Sequence, residues 1–169
     1  MMYNCLMPET PLEVLAGEWL RLRGWRLAVA ESCTGGLLGH LLTNVPGSSD
    51  YFLGGVIAYS NEVKMRLLGV QVETLEKFGA VSRQTVLEMA RGVRQLLKAD
   101  IGLSVSGIAG PGGGTAEKPI GLTWVGLSTA EDEVAWKHLW EGDRIHNKEQ
   151  SAQAVLRHLV DFLQNKQSP

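Results

Sequence analysis

The sequence predicts an α/β fold in which a mixed sheet is covered by helices on both faces. Three observations point there. Short apolar runs at residues 27–30, 52–59 and 101–106 read as buried strands. The segments between them repeat their apolar residues at helical spacing, as helices packed on a sheet do. The last two strand-like segments, 121–128 and 134–140, flank a turn at Ala130 to Glu133 and read as a hairpin, which makes one strand pair antiparallel.

Each element has a local reason. Thr10-Pro11-Leu12-Glu13 reads as a helix start, with Thr10 capping, Pro11 in the first turn and Glu13 completing a capping box. Leu12, Leu15, Ala16, Trp19 and Leu22 form the expected buried stripe, and Gly24 ends the helix. Leu27 to Ala30 is the first strand and Glu31 to Gly36 a turn. Leu37, Leu38, Leu41, Leu42 and Val45 form a helix stopped by Pro46. After the strand Phe52 to Tyr59, Ser60 or Asn61 caps a short helix that closes at Gly69. Val72 to Phe78 reads as a further helical turn or two. Ser82 caps a longer helix with its stripe at Val86, Met89, Ala90, Val93 and Leu97. The strand Ile101 to Ser106 runs into a glycine-rich loop that reaches about Ile120. The final helix starts near Asp143 or Asn147 and buries Ala152, Val155, Leu156, Leu159 and Phe162.

The chain has 169 residues, which suits a single domain spanning 1–169 with its core at about 12–163. Lys plus Arg number 16 and Asp plus Glu 18, a net charge of -2, so the basic excess of a nucleic-acid binder is missing. Two cysteines, Cys5 and Cys33, are too few for a disulfide framework or a four-cysteine zinc site. His40, His138, His146 and His158 show no metal-ligand spacing, so no metal is expected. The longest nearly apolar run, Tyr51 to Tyr59, is about half a membrane span. Met1 to Met7 has no basic residue, so no signal peptide is expected and a cytoplasmic location is. The 20 glycines exceed the usual share of about 7% and gather in clusters.

In open α/β sheets ligands bind beyond the carboxyl ends of the strands, and three informative segments fall at such ends. In Glu31-Ser32-Cys33-Thr34-Gly35-Gly36, a hydroxyl sits where unpaired N–H groups can hold a developing oxyanion. Capping by Ser32 or Thr34 is the commoner local use of such residues. In Tyr59-Ser60-Asn61-Glu62-Val63-Lys64, Lys64 falls near a helix start, where the dipole disfavours an ammonium ion and favours a neutral general base. Glu62 opposes that shift if it points the same way; a solvated Lys64–Glu62 pair is the simpler reading. Ser106 to Gly114 suits wrapping of backbone N–H groups around an anion, without the Gly-Lys-Ser/Thr of a P-loop. Arg144, near the start of the last helix, suggests an anionic partner, with Asp143 or Glu141 as the plain alternative. Cys33 and His40 share one helix face by spacing and read better as a buried thiol and a chance histidine than as a catalytic pair. Trp124 can stack on a ring ligand but is more often core.

Taken in order, these motifs resemble the CinA C-terminal domain family. The matching residues are Ala30-Glu31-Ser32-Cys33-Thr34-Gly35-Gly36, Val56 to Lys64, Gly79-Ala80-Val81-Ser82, Val105 to Pro111 and Gly142-Asp143-Arg144, spread from about Leu12 to Leu163. Enzymatic members of the family are nicotinamide-nucleotide amidases (NMN deamidases) of pyridine nucleotide recycling. The resemblance implies a three-layer α/β/α fold with a mixed, mostly parallel five-stranded sheet. It implies Ser32 as nucleophile and Lys64 as its base, with Tyr59 orienting Lys64 or donating to the oxyanion. Thr34, Gly35, Gly36, Ser106, Gly107, Gly110, Gly112, Gly113 and Arg144 are the expected substrate-binding positions, with the oxyanion and phosphate roles left undivided. Some members carry Asp where this chain has Gly112. The expected partner is a small molecule, nicotinamide mononucleotide, without cofactor, nucleic acid or membrane; a homo-oligomer is left open. The other reading is a non-catalytic phosphate- or nucleotide-binding module.

Overall fold

The structure, a computed structural model, describes residues 10–166; Cys5 and the Met1–Met7 stretch lie outside the described residues. In chain order the elements are α1 (Leu12–Arg23), β1 (Leu27–Glu31), α2 (Leu37–Thr43), β2 (Phe52–Ile57), α3 (Asn61–Leu68), α4 (Val72–Phe78), α5 (Arg83–Leu96), β3 (Ile101–Gly107), β4 (Leu122–Ser128), β5 (Glu133–Leu139) and α6 (Arg144–Asn165). A single 3-10 turn, Ser48–Asp50, precedes β2.

The five strands form one sheet in the order β2-β1-β3-β4-β5. β1 pairs in parallel with β2 and β3, whereas β4 is antiparallel to both β3 and β5. Four strands therefore run one way and β4 alone runs against them. The hairpin accounts for only one of the two antiparallel pairs. The other arises because β3 and β4 are neighbours, joined by the long glycine loop.

The layers follow from side-chain alternation along β1, which is buried on both faces. Leu27 and Val29 join Ala16, Leu20, Leu38, Leu42, Val155 and Leu159 beneath α1, α2 and α6. Ala28 and Ala30 pack with Leu68, Met89 and Val93 beneath α3 and α5. On this second face α5 lies close to the sheet because Gly102 has no side chain: a Cβ there would stand 2.1 Å from the Ala90 carbonyl oxygen.

Caps follow the sequence at three helices and depart from it at one. Ser60 Oγ accepts from Val63 N, Ser82 Oγ from Thr85 N and Asp143 Oδ1 from His146 N, which settles the starts of α3, α5 and α6. At α1 no side chain caps. Pro11 holds the cap position at φ -55°, ψ 143°, so Thr10 lies one residue too early to serve. The stripe of α1 also shifts. Leu20, four residues after Ala16, is buried, while Leu22 is 73% exposed, because two residues carry it about 200° around the helix axis. Among the described residues no helix is long and apolar enough to cross a membrane.

Candidate active site

The carboxyl ends of β1, β2 and β3 open into a cleft of about 270 Å³, with Ser32, Cys33, Tyr59, Lys64, Ser106 and Arg144 in its lining. β2 ends at Ile57, two residues before the sequence suggests, and the reason is chemical. Ala58 still donates its N–H to the Glu31 carbonyl at 2.7 Å, but the carbonyls of Ala58 and Tyr59 turn to Lys64 instead of continuing a ladder.

Lys64 is 1% exposed. Its Nζ lies 2.7 Å from Ala58 O, 3.3 Å from Tyr59 O and 3.0 Å from Ser32 Oγ. These are three neutral oxygens, and among the described residues no carboxylate pairs with the amine. Burial pushes the Lys64 pKa below the ordinary lysine value, with a smaller opposing contribution from the neighbouring Cys33 thiol. A neutral amine has two N–H bonds and one lone pair. The two carbonyls can take both N–H groups, which leaves the lone pair toward the Ser32 hydroxyl. Desolvation is the main cause of the shift. Glu62 takes no part: it pairs with Arg66 at 3.0 Å on the exposed side of α3.

Glu31 is a polar residue of this region to which the sequence assigns no role. It is the last residue of β1 and only 2% exposed. Its Oε2 accepts from Thr34 Oγ1 at 2.6 Å, Gly36 N at 3.0 Å and Leu38 N at 3.1 Å, and its Oε1 accepts from Gly39 N at 2.8 Å. The only available signal is a carboxylate closing an otherwise apolar strand, and that alone does not distinguish a buried residue from a strand end meeting water. Glu31 explains the positions of three expected binding residues. Thr34 is 1% exposed with its hydroxyl engaged by Glu31, and Thr34, Gly35 and Gly36 lie outside the cleft lining. The Thr34 N–H donates to no backbone acceptor among the described residues.

The opposite wall is the loop after β3. Ser106, Gly107, Gly110, Gly112 and Gly113 all line the cleft. Ser106 itself is 1% exposed and donates its hydroxyl to Ala80 O at 2.8 Å, which ties the wall to the start of α5. Gly110 adopts φ +88°, in the left-handed region, and a Cβ there would stand 2.7 Å from Ile120 Cγ2. Among the described residues the N–H groups of Ala109, Gly110, Gly112 and Gly113 donate to no acceptor. The glycine loop therefore presents several unengaged donors at the cleft.

Arg144, the first residue of α6, has no acidic partner among the described residues. It donates to Gly110 O at 2.7 Å and to the Tyr59 hydroxyl at 3.1 Å. It thus spans the cleft mouth from the glycine loop to the end of β2. Tyr59 holds Lys64 through its carbonyl, while its phenol turns to Arg144. Asn147, one turn along α6, anchors the same wall by donating to Ala109 O and Gly142 O.

The remaining candidates are plain. Cys33 is buried, and burial pushes its thiol pKa up to about 12. His40 is exposed on α2, with its ring nitrogen 3.3 Å from the side-chain nitrogen of Asn44. Trp124 is outside the cleft lining. Among the described residues no group of three or more His, Cys, Asp or Glu is gathered to hold a metal ion.

Comparison with known proteins bears on the identity of this arrangement. A family profile described as the CinA C-terminal domain matches residues 9–163. A CinA-like protein of Synechocystis is 55% identical over 136 residues, and one of Salinibacter ruber 48% identical over 148. These alignments cover 80% and 88% of this chain but only 33% and 36% of the relatives, so the chain spans about a third of their length. Among solved structures, the competence damage-inducible protein A of Klebsiella pneumoniae superposes with a TM-score of 0.88 at 34% identity, covering 94% of this chain and 100% of that one. A competence/damage inducible protein of Agrobacterium tumefaciens gives 0.85 at 37%, covering 94% and 100%. The chain belongs to the CinA C-terminal domain family.

Proposed function

We propose that this chain is an amidohydrolase that converts nicotinamide mononucleotide to nicotinate mononucleotide and ammonia by a Ser–Lys mechanism. The observation that supports this most is the 3.0 Å contact between Ser32 Oγ and a buried Lys64 amine that has no carboxylate beside it. A module that only holds phosphate needs no such pair.

In the first half-reaction the lone pair of Lys64 Nζ takes the Ser32 proton as Oγ attacks the carboxamide carbon. The C=O bond opens to an oxyanion, stabilised by backbone N–H groups of the nucleophile turn. Lys64 then returns the proton to the leaving nitrogen, the C–N bond breaks, and ammonia departs from a serine ester. In the second half-reaction water loses a proton to Lys64 and attacks the ester carbon; Ser32 leaves with that proton, and nicotinate mononucleotide is released. The cationic pyridinium ring draws electrons from the carbonyl and favours both attacks. The unengaged N–H groups of residues 109–113, with Arg144, receive the phosphate. Because Glu31 holds the start of α2, the roles divide: the turn after β1 serves the oxyanion and the loop after β3 serves the phosphate.

Ammonia release from purified protein tests this reading, with nicotinamide mononucleotide compared against nicotinamide riboside and free nicotinamide. The expected order of catalytic efficiency is mononucleotide, then riboside, then the free base. No ammonia from the mononucleotide at high enzyme concentration overturns the assignment.

A further inference from the structure

We infer that Glu31 is a positioning residue for the nucleophile: its carboxylate fastens the Ser32 turn so that Oγ meets Lys64. The inference rests on the reading of Ser32 as nucleophile and adds a residue to it.

A buried carboxylate is costly unless its charge is met by a cation or by strong donors. Among the described residues Glu31 has no cationic partner within an ion-pair distance. Its charge is met by three backbone N–H groups and one hydroxyl, a set of charge-assisted bonds between 2.6 and 3.1 Å. All four donors lie downstream of Ser32, within residues 34–39. The acceptor lies one residue upstream of it. The five residues 32–36 are thus clamped between a strand end and a helix start, with the nucleophile inside the clamp.

An ordinary helix cap acts differently. It sits at the residue before the helix, here Gly36, and its loss frays the helix end. Glu31 reaches from the preceding strand, so its loss frees the turn while β1 keeps its ladders to both neighbours. The same residue also bears on the base. Its main-chain carbonyl accepts Ala58 N, and the Ala58 carbonyl accepts Lys64 Nζ. Glu31 is therefore bonded, through its two ends, to the turn that carries the nucleophile and to the anchor of the base. The Ser32–Lys64 contact depends on both.

Reach matters as much as charge. Aspartate is one methylene shorter and cannot span from β1 to Gly39 N without drawing the turn inward. Glutamine keeps the length but replaces one acceptor oxygen by an NH₂ that faces N–H donors.

Labelling of Ser32 by a fluorophosphonate reports nucleophile placement without reference to any natural substrate. The rate is measured for the unsubstituted protein, Glu31→Gln and Glu31→Asp. Affinity for nicotinamide mononucleotide is measured by calorimetry in Ser32→Ala and in Ser32→Ala/Glu31→Gln. Labelling is expected to slow about a hundredfold in both single variants, as for a catalytic group displaced by about 1 Å. Affinity of the two Ser32→Ala proteins should agree within about twofold, because the glycine loop and Arg144 are untouched. Wild-type labelling rates in Glu31→Gln overturn the inference, as does full rescue by Glu31→Asp. A loss of affinity parallel to the loss of labelling also overturns it, since that marks general collapse. If the unsubstituted protein labels but releases no ammonia from the mononucleotide, the substrate is wrong and Glu31 is still judged by its labelling rates. If the unsubstituted protein does not label at all, the nucleophile assignment falls and this inference falls with it.

Discussion

The two walls of the cleft handle hydrogen bonding in opposite ways. At and behind the wall formed by the ends of β1 and β2, the side chains of Glu31, Thr34 and Lys64 all have partners, and all three are buried. On the wall formed by the loop after β3, several N–H groups have no acceptor and residues 111–117 are exposed. A wall whose buried side chains are all bonded holds reacting atoms at fixed distances, whereas a wall of unengaged donors waits for an anion to complete it. The contrast assigns chemistry to the first wall and recognition to the second. Substitutions on the first should therefore lower turnover with little effect on binding, and substitutions on the second should do the reverse.

The largest expected effect tests the first wall. Ser32→Ala should lower amide hydrolysis by at least about 10⁴-fold, the scale on which a removed nucleophile is felt. Affinity for nicotinamide mononucleotide should stay close to that of the unsubstituted protein, read by calorimetry. Near-normal turnover in this variant would remove the covalent step.

Lys64 comes next and carries a pH signature. A general base works when neutral, so turnover should rise with pH through an apparent pKa below the ~10.4 of a free lysine. The stability consequence has a definite sign. The folded state binds the Lys64 proton less tightly than the unfolded state does, so this group disfavours folding at low pH. The penalty is full below the folded-state pKa and fades as pH rises to about 10.4. Lys64→Met should therefore be inactive, and its melting temperature relative to the unsubstituted protein should fall as pH rises across that window. A difference independent of pH would show that burial does not shift Lys64. Lys64→Arg should be nearly as inactive as Lys64→Ala, because arginine keeps its proton. Substantial turnover in Lys64→Arg would leave Lys64 as a binding cation.

Much of the first wall could be read in the sequence, and the reason it was not all readable is physical. Ser32 and Lys64 stand out because a hydroxyl beside glycines and a lysine at a helix start are locally odd. Glu31 is not odd in that way; its role comes from donors up to eight residues away that only the folded turn brings to it. Thr34 points the other way for the same reason: a threonine beside a nucleophile reads as a ligand contact until its partner is known. The strand order was less accessible than the strands. Apolar runs and glycine stops mark elements, but nothing local says that β4 returns against β3. The shifted stripe of α1 shows a finer limit, since Leu20 and Leu22 are equally apolar and only the helix phase separates them.

The second wall should answer to smaller changes. Arg144→Ala should lower catalytic efficiency on the mononucleotide by about tenfold while leaving the riboside unchanged within about twofold. Tenfold is at the low end for a charge-assisted contact because Arg144 is exposed. Gly110→Ala should act in the same direction, since its φ of +88° and the nearby Ile120 methyl leave no room for a side chain. Equal losses on both substrates would mean that this wall does not read the phosphate.

The smallest expected effect is at Cys33, which lies between the walls and lines the cleft beside the nucleophile. Its position invites assignment as an alternative nucleophile, and thiols attack carbonyls readily once ionised. Ionisation is what this site withholds. Burial is the main cause that pushes the thiol pKa to about 12, and the Glu31 charge adds to it; the thiol's own backbone N–H, Lys64 and Lys148 pull the other way without prevailing. At pH 7 such a thiol is almost entirely un-ionised. Cys33→Ala removes a buried sulfur from the edge of the core cluster, which costs some stability but takes away no reacting group. Turnover and affinity for the mononucleotide should both stay within about twofold of the unsubstituted protein. Iodoacetamide at neutral pH should leave activity intact over a period that fully modifies a free thiol in solution. Rapid inactivation that the mononucleotide prevents and Cys33→Ala abolishes would show an ionised thiol in the cleft. The wall at the ends of β1 and β2 would then have to include Cys33 among its reactive groups.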